Sequence, residues 1–302
     1  MSISSNGGTD MGTVIKQALL TQPRWFAAPV LVSSVVLGYA VSAPLSWFVL
    51  VPILFVLCVM AWSHTMNTYL DHEWTGFDKG LESERSHPKP YTSGQQVIAS
   101  GVLSANQVLA IAIGWLIASS IAMIYILSVP MLVFWVLSLL VTFWYSWGKL
   151  HWMPELALGI GFGPLAALIG AAATPTPDYL AAALASMPIF LIFGVGAESW
   201  DQWADSDVNW DRGLRNIGAW VWHTKKSIGL VVGVIVLTTF IVQGLLVLVG
   251  VLSAWTLLSL PAALSLVLLP QAEKRKPWAV NLLLGAVFYY CVALAVGQVV
   301  GG

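Results

Sequence analysis

The sequence predicts an all-α, polytopic membrane protein with nine transmembrane helices arranged around a central cavity. Of its 302 residues, 58% are hydrophobic and only 9% are charged, whereas a soluble globular domain carries roughly 25% charged residues. Nine apolar runs approach the length of about 20 residues that a membrane-spanning helix needs. None alternates apolar and polar residues with a period of two, as the strands of a membrane barrel do. The composition therefore excludes a water-soluble globular domain and leaves helices as the spanning structure.

The predicted spans are Trp25–Val41, Leu45–Met66, Leu103–Leu127, Val129–Trp147, Pro154–Ala173, Tyr179–Trp200, Ser227–Gly250, Ala254–Leu269 and Val280–Val300. The eighth is short, and Pro261 interrupts it. Residues 1–22 are polar and rich in Gly and Ser, without the basic start and apolar stretch of a signal peptide. We expect them to form a short, partly disordered cytoplasmic tail, and residues 23–302 to form a single nine-helix domain.

The basic residues divide the connections between spans into two sets. All 13 fall in the N-terminal segment or in alternate connections: Lys16, Arg24, Lys79, Arg85, Lys89, Lys149, Arg212, Arg215, Lys225, Lys226, Lys274, Arg275 and Lys276. Thirteen of the 14 acidic residues lie on the same side, and only Asp178 lies opposite. The positive-inside rule places this side and the N-terminus in the cytoplasm. We therefore expect a multi-pass plasma-membrane protein whose active site and cavity open to the cytoplasm.

The second predicted span ends in a polar motif that contains Asn67, Asp71 and Asp78. On a continuous helix these three side chains fall within about 40° of each other, and a break at Gly76 before Asp78 would weaken this shared face. Acids at this depth in a membrane protein are costly and usually have a partner. Carboxylate and amide oxygens suit Mg²⁺, which prefers one or two carboxylates together with waters and substrate phosphates. The alternative for this segment alone is a solvated helix end with ordinary charges.

A second polar motif follows the sixth span, on the same side of the membrane. It places Glu198, Asp201, Asp205 and Asn209 within a stripe of about 80° on a helix. Like charges at Asp201 and Asp205 repel each other, and a divalent cation would remove that penalty. Two acidic motifs with Lys and Arg residues nearby form the set of groups that a metal-bound diphosphate needs. The five histidines are instead expected in loops or at interfaces: His64, His72, His87, His151 and His223.

These motifs together resemble the UbiA superfamily of intramembrane prenyltransferases, which has nine helices and aspartate-rich motifs on the second and sixth. The spacing of Asn67, Asp71 and Asp78 is similar to its first motif, and Asp201 with Asp205 is similar to its second. Smaller pieces also resemble the family: Arg24 before span one, Lys89-Pro-Tyr-Thr-Ser-Gly94, Tyr145-Ser146 with Lys149, and Gly213-Leu-Arg215. The segment Gly161-Phe-Gly163-Pro164 resembles the naphthoate branch, which belongs to the menaquinone pathway.

The resemblance implies an enzyme that transfers an isoprenoid chain from an allylic diphosphate to a lipophilic, aromatic acceptor. It implies Mg²⁺ bound by five residues: Asn67, Asp71, Asp78, Asp201 and Asp205. It implies diphosphate contacts from four more: Arg24, Lys89, Lys149 and Arg215. Catalysis would depend on Asp71, Asp201 and Tyr145, in a cavity that keeps water from a developing carbocation. Membrane lipid, the donor and the acceptor are the expected partners, and no nucleic acid is expected.

Two other functions are compatible with the sequence. The same ionisation chemistry could cyclise the donor or elongate a carotenoid, as a terpene cyclase or related enzyme of this family would. The acids could instead bind ions in a cation-coupled transporter, although transporters place such sites near the midplane at broken helices. Release of diphosphate that depends on a metal would distinguish the enzyme from the transporter.

Overall fold

A computed structural model of the chain describes residues 10–78, 97–204, 206, 210–267 and 277–302. Within these ranges the protein is helical and contains no strand, as the sequence predicts. The helices that matter here are α1 (Met11–Lys16), α2 (Ala28–Ala40), α3 (Trp47–Glu73), α4 (Ala105–Ile124), α5 (Val129–His151), α6 (Pro154–Ala172), α7 (Tyr179–Trp203), α8 (Ile217–His223), α9 (Ile228–Leu248), α10 (Ala254–Val267) and α11 (Pro277–Gly301).

Seven helices in the described part of the chain are long and apolar enough to cross a membrane, namely α3 to α7, α9 and α11. The first predicted span corresponds to α2, which has only 13 residues after a short 3-10 turn at Trp25–Ala27. The eighth predicted span corresponds to α10, which is also shorter than a helix that crosses a membrane. The structure therefore supports a polytopic membrane protein, with two of the nine predicted spans reduced to short helices.

From Asp10 onward the N-terminal segment packs on the bundle, and residues 1–9 of the predicted tail lie outside the described residues. Asp10 caps α1 by accepting a hydrogen bond from the backbone N–H of Thr13 at 3.0 Å. The chain then continues in a π-helical stretch at Gln17–Thr21. The indole N–H of Trp115 in α4 donates to the carbonyl of Ala18 at 3.1 Å. Composition missed this contact because a single indole, nearly a hundred residues away, provides it.

The transmembrane helices pack in a ring that closes on itself. Along the chain α3 contacts α5, α5 contacts α6, α6 contacts α7, and α7 contacts α9. Helix α9 packs on α10, α10 on α11, and α11 returns to α2. Helix α2 also contacts α3 and α6. Helices α4, α5 and α9 are the most peripheral of the long helices, because only about a quarter of each membrane span is buried within the protein.

Glycines allow the closest helix contacts. A Cβ atom at Gly38 of α2 would lie 2.0 Å from the carbonyl oxygen of Ala167 in α6, and one at Gly170 would lie 2.1 Å from that of Val35. A Cβ at Gly194 of α7 would lie 2.1 Å from the Cα of Gly159. Small residues permit this backbone approach, which is a common basis of helix association in membranes.

Both α6 and α7 contain π-helical segments where they meet. The segment in α6 is Gly161–Leu165, which includes Pro164, and the segment in α7 is Phe190–Ala197. Proline removes a backbone donor and disturbs the α-helical hydrogen-bond pattern. The hydroxyl of Ser34 in α2 donates to the carbonyl of Phe162 in this segment at 2.5 Å. Such π-segments are frequent at functional sites.

A cluster of uncharged polar side chains, here called the neutral cluster, ties α9, α10 and α11 together. Its members are Gln243, Thr256, Ser259 and Tyr290, all fully buried. The amide of Gln243 donates to the Thr256 carbonyl at 2.7 Å and to the Ser259 hydroxyl at 3.1 Å. The Tyr290 hydroxyl donates to the amide oxygen of Gln243 at 2.7 Å.

Candidate active site

The first polar motif forms a buried cluster at the end of α3. Asn67 and Asp71 are 3% and 2% exposed. The Asn67 amide donates to the Asp71 carboxylate at 3.1 Å and to the Ser146 hydroxyl of α5 at 2.8 Å. The two residues are one helical turn apart, which explains why their side chains meet. The predicted pairing of Asn67 with Asp71 on one face of a helix is therefore present.

Asp78 reaches this region by a different route from the predicted one. Helix α3 ends at Glu73, and Gly76 adopts a positive φ of 67° that favours glycine. The prediction of a continuous helical face through Asp78 was therefore wrong. The turn nevertheless folds back, because the backbone N–H of Asp78 donates to the carbonyl of Asp71 at 3.1 Å. The side chain of Asp78 is 3% exposed.

Lys149 supplies a buried cation to the first motif. Its ammonium forms an ion pair with the Asp71 carboxylate and lies 3.4 Å from the amide oxygen of Asn67. Asn67, Asp71, Ser146 and Lys149 are hereafter the ionic cluster. Lys149 also lies over the ring of Tyr145, with its ammonium 4.7 Å from the ring centroid. A buried carboxylate requires such a partner, because removal from water is costly for an isolated charge.

The second motif approaches the ionic cluster through Tyr145. The Tyr145 hydroxyl donates to the Glu198 carboxylate of α7 at 3.0 Å, and the Gln202 amide donates to the same oxygen at 2.8 Å. Asp201 lies one turn beyond Glu198 and is partly exposed. A chain of contacts therefore runs from Asp71 through Lys149 and Tyr145 to the helix that carries the second motif. Asp205 lies outside the described residues, as do Asp207 and Asn209.

Arg215 joins the same end of the bundle through its backbone. Its N–H donates to the carbonyl of Lys149 at 2.7 Å. Its guanidinium lies 4.4 Å from the ring centroid of Trp210 and donates to the carbonyls of Leu214 and Trp210 at 2.9 and 3.3 Å. Arg215 is therefore held in place within the segment that follows the second motif. Lys89, predicted as another diphosphate contact, lies outside the described residues.

A mostly apolar cavity adjoins the ionic cluster. It lies between α2, α3, α5 and α6, and its empty space, open solvent at its entrance included, is about 730 Å³. Its polar wall residues include Arg24, Ser63, His64, Asn67 and Tyr145. The opposite end is apolar, with Val56 about 16 Å along α3 from Asn67 at 1.5 Å per residue.

Arg24 enters the cavity wall from a strained backbone position. Its φ of 53° lies in the left-handed region, which a residue with a Cβ rarely adopts. The side chain is 7% exposed, a depth at which an arginine side chain needs an interaction partner. Strain of this kind clusters at ligand-binding and active sites, where the surrounding structure maintains it.

The structure thus brings together Asn67, Asp71, Tyr145 and Lys149, and it places Arg24 in the wall of the same cavity. Three residues of this region were not predicted from the sequence to contribute. Ser146 accepts a hydrogen bond from Asn67, Glu198 accepts one from Tyr145, and His64 lines the cavity wall. Glu198 carried a signal, since it shares the helical stripe of Asp201. His64 also carried one, because it stands one turn before Asn67 in the first motif.

No three His, Cys, Asp or Glu side chains within the described ranges form a group that could hold a metal ion by themselves. This agrees with the donor set of the first motif. The first motif offers two oxygens from Asp71 and one from Asn67. Mg²⁺ usually completes its coordination with waters and substrate phosphates. The residues present therefore fit a cation that arrives with a phosphate ligand better than a permanently caged one.

Solved structures with similar folds include UbiA homologues and a digeranylgeranylglyceryl phosphate synthase. The apo structure of a homologue from Aeropyrum pernix K1 matches with a TM-score of 0.69 and 15% identity, covering 93% of this chain and 98% of that one. A homologue from Archaeoglobus fulgidus, bound to GPP and Mg²⁺, matches with a TM-score of 0.62 and 16% identity, covering 94% and 99%. A digeranylgeranylglyceryl phosphate synthase matches with a TM-score of 0.61 and 17% identity, covering 95% and 99%.

The search of curated protein sequences found no match. The identities to the solved structures are low, so those likenesses establish the fold alone. The sequence profile of one family, however, matches residues 26–292, which include both polar motifs, the ionic cluster and all of the cavity wall except Arg24. The predicted family resemblance is therefore confirmed, as is the prediction of a prenyltransferase: the chain belongs to the UbiA prenyltransferase family.

Proposed function

We propose that this protein is a Mg²⁺-dependent intramembrane prenyltransferase that moves an isoprenoid chain from an allylic diphosphate to a lipophilic, aromatic acceptor. The observation that carries the proposal is the ionic cluster at the mouth of an apolar cavity. Charged groups suited to a metal diphosphate lie beside a space suited to a hydrocarbon chain. The Archaeoglobus fulgidus homologues bound to GPP or DMAPP with Mg²⁺ support the same assignment.

The acidic and amide side chains would hold the metal. Asn67, Asp71 and Asp78 come from the first motif, and Asp201 and Asp205 come from the second. When bound, Mg²⁺ would neutralise charge on the departing diphosphate. This role requires the oxygens of Asp71, which Lys149 contacts in the present structure. We therefore expect the Lys149 ammonium to move from the carboxylate towards the diphosphate when donor and metal bind.

The cations and the cavity would perform the remaining tasks. Arg24, Lys89, Lys149 and Arg215 would bind diphosphate oxygens and orient the donor. The apolar wall would receive the isoprenoid chain and exclude water while the allylic C–O bond breaks. The ring of Tyr145, which already lies beside the Lys149 ammonium, would stabilise positive charge in the donor. The acceptor carbon would then bond to the donor carbon and lose its proton to a carboxylate or to the released diphosphate.

The domain division and the membrane orientation belong to the same proposal. Residues 23–302 would form one nine-helix domain, with the short α2 and α10 as its first and eighth members. Residues 1–22 would lie on the cytoplasmic side of the plasma membrane. The distribution of all 13 Lys and Arg residues on one side supports a cavity that opens to the cytoplasm.

Release of diphosphate from geranyl diphosphate tests the proposal directly. We expect the purified protein to release it only with Mg²⁺, and chelation of the metal to abolish the reaction. Asp71→Asn and Asp201→Asn should each slow release by about 10²–10³-fold, the range observed when one stabilising group is removed from a transition state. The proposal fails if either variant retains full turnover.

Asp178→Asn is the matched control for these substitutions. Asp178 is exposed at the start of α7, and its carboxylate accepts a hydrogen bond from the N–H of Ala181 at 2.9 Å. Asparagine caps helices about as well as aspartate, so this variant should retain both stability and turnover.

A transporter would bind cations but release no diphosphate, and a terpene cyclase would release diphosphate without consuming an acceptor.

A further inference from the structure

The N-terminal segment, defined here as residues 11–21, turns an apolar face outward. It comprises α1 and the π-helical stretch Gln17–Thr21. Its polar residues Thr13, Gln17 and Thr21 are partly buried. A helix on the surface of a soluble protein shows the opposite arrangement, in which the apolar stripe faces the core. Four apolar side chains of the segment are between 51% and 72% exposed: Met11, Ile15, Leu19 and Leu20.

The segment runs along α4 from its start towards its middle. Val14 packs in a cluster with Val108, near the start of α4. Four residues later, the carbonyl of Ala18 accepts the hydrogen bond from Trp115. Trp115 is the eleventh of the 20 residues of α4, about 15 Å from its start, and a bilayer has a hydrocarbon core of about 30 Å. Because helical side chains lean towards the N-terminus of their helix, the segment occupies the half of the bilayer in which α4 begins.

The backbone of the segment satisfies the condition that hydrocarbon imposes on carbonyl groups. The last carbonyls of a helix have no partner within it, and Pro23 has no N–H to donate to the carbonyl of Ala18. The Trp115 indole donates to that carbonyl at 3.1 Å, and the Trp25 indole donates to the carbonyl of Leu19 at 2.7 Å. Water would satisfy such carbonyls on a soluble surface, whereas within a bilayer the protein itself must do so.

We propose that the outward face of the N-terminal segment binds the acyl chains of membrane phospholipids, in the leaflet where α4 begins. Residues 11–21 then lie in the membrane and not in the water beside it. The face adjoins the exposed apolar surface of α4, on which Ile113 and Ile117 are 48% and 55% exposed. The inference goes beyond the proposed function and does not depend on the reaction that the protein catalyses.

Two exposed charged residues are compatible with this placement. Asp10 precedes Ala18 by eight residues, or about 12 Å of helix, and therefore lies close to the level at which α4 begins. Lys16 has a long side chain that can follow the apolar surface while its ammonium reaches the lipid headgroups.

Photocrosslinking in liposomes tests the contact on the unmodified protein. The vesicles contain phosphatidylcholine with a diazirine on one acyl chain. Trypsin cleaves after Lys16 and Arg24 and so releases residues 17–24 for mass spectrometry. We expect this peptide to carry a lipid adduct after illumination, and to carry far less when the diazirine is on the headgroup. The inference is wrong if the peptide stays unmodified while other peptides of the same sample carry acyl-chain adducts.

Spin labels on the exposed face provide a second measurement. Collisions of the label with O₂, which enters hydrocarbon, are compared with collisions with a water-soluble nickel chelate. Ile15→Cys and Leu19→Cys are the test positions. Ile117→Cys of α4 is the reference for lipid, and Asn106→Cys, exposed at the start of α4, is the reference for the membrane surface. Both native cysteines are buried, and labelled wild-type protein gives the background.

We expect the ratio of O₂ to nickel collisions at Ile15→Cys and Leu19→Cys to match that at Ile117→Cys and to exceed that at Asn106→Cys. A ratio equal to that at Asn106→Cys would mean that the face lies in water. Few collisions with either reagent at both test positions would mean that protein, such as a second copy of the chain, covers the face. Either of these results overturns the inference.

Discussion

The ionic cluster and the neutral cluster are two buried polar regions that differ in one property, the presence of charge. Both join transmembrane helices through side-chain hydrogen bonds. The neutral cluster links α9, α10 and α11 through Gln243 and Tyr290, with all donors and acceptors uncharged. The ionic cluster links α3 and α5 through Asp71 and Lys149, which are 2% and 6% exposed.

The two regions contribute differently to stability. A neutral, satisfied network inside a membrane bundle contributes about 1 kcal/mol for each interhelical hydrogen bond. A buried ion pair gains little net stability, because the cost of removing two charges from water offsets their attraction. The neutral cluster therefore fixes helices efficiently, whereas the ionic cluster is a poor device for that purpose alone.

The position of the charges gives the ionic cluster another use. It lies beside the cavity, and its carboxylate and ammonium can each exchange their present partner for an ion of the same charge. Under the proposed function, Mg²⁺ would replace the ammonium at Asp71, and a diphosphate would replace the carboxylate at Lys149. The neutral cluster has no charge to exchange. The comparison therefore predicts that Mg²⁺ and donor stabilise one region and not the other.

Lys149→Met should produce the largest separation between the two regions. Removal of one partner from a buried ion pair destabilises a protein by about 3–5 kcal/mol, because the other charge stays buried. We expect a lower melting temperature for this variant without metal, and a larger upward shift on addition of Mg²⁺ than wild-type protein shows. Turnover should fall about 100-fold, since the diphosphate loses a charged hydrogen-bond donor.

A thermal unfolding series in detergent, with and without Mg²⁺, measures this effect. Lys226→Met is a suitable control, because Lys226 is exposed and its ammonium lies 4.2 Å from the ring centroid of Trp220. If Mg²⁺ shifts the melting temperature of Lys149→Met no more than that of wild-type protein, the metal does not bind at Asp71 and the comparison is wrong.

Some features of the ionic cluster followed from the sequence, and the reason is physical. Asn67 and Asp71 are one turn apart on a long apolar helix, so local periodicity was sufficient to predict their contact. Lys149 and Tyr145 were identified only through their position in motifs of a known family. Their contacts with Asp71 and Glu198 join helices that are distant in the chain, and periodicity carries no information about such pairs.

Other features lay beyond sequence reasoning for equally specific reasons. Gly76 indicated a break in the helix before Asp78, but the sequence did not show that the turn brings the backbone N–H of Asp78 back to the carbonyl of Asp71. The neutral cluster depends on isolated polar residues in apolar spans, whose partners become clear only when α9, α10 and α11 are packed. The short α2 is similarly determined by tertiary context, since it packs against both α6 and α11.

Tyr145→Phe should have an intermediate effect, because it removes one hydroxyl and preserves the ring. The hydrogen bond to Glu198 is lost, while Gln202 still donates to that carboxylate and the Lys149 ammonium still has an aromatic face. Loss of one hydrogen bond of about 1 kcal/mol corresponds to a decrease of roughly five- to tenfold in turnover. Tyr145→Leu should cost more than Tyr145→Phe, since it also removes the ring. Steady-state kinetics of both variants measures the difference, and equal losses would contradict a separate role for the ring.

Tyr290→Phe should have the smallest effect on function and is the reciprocal test of the comparison. The substitution leaves the Gln243 amide oxygen without the Tyr290 hydroxyl at the centre of the neutral cluster. We expect a loss of about 1 kcal/mol in the free energy of unfolding, turnover within about twofold of wild type, and an unchanged Mg²⁺-dependent shift in melting temperature. A large loss of turnover with little loss of stability would mean that the neutral cluster also takes part in catalysis. If Tyr290→Phe loses stability that metal does not restore, the neutral cluster fixes helices. If Lys149→Met loses stability that metal does restore, the ionic cluster binds exchangeable ions.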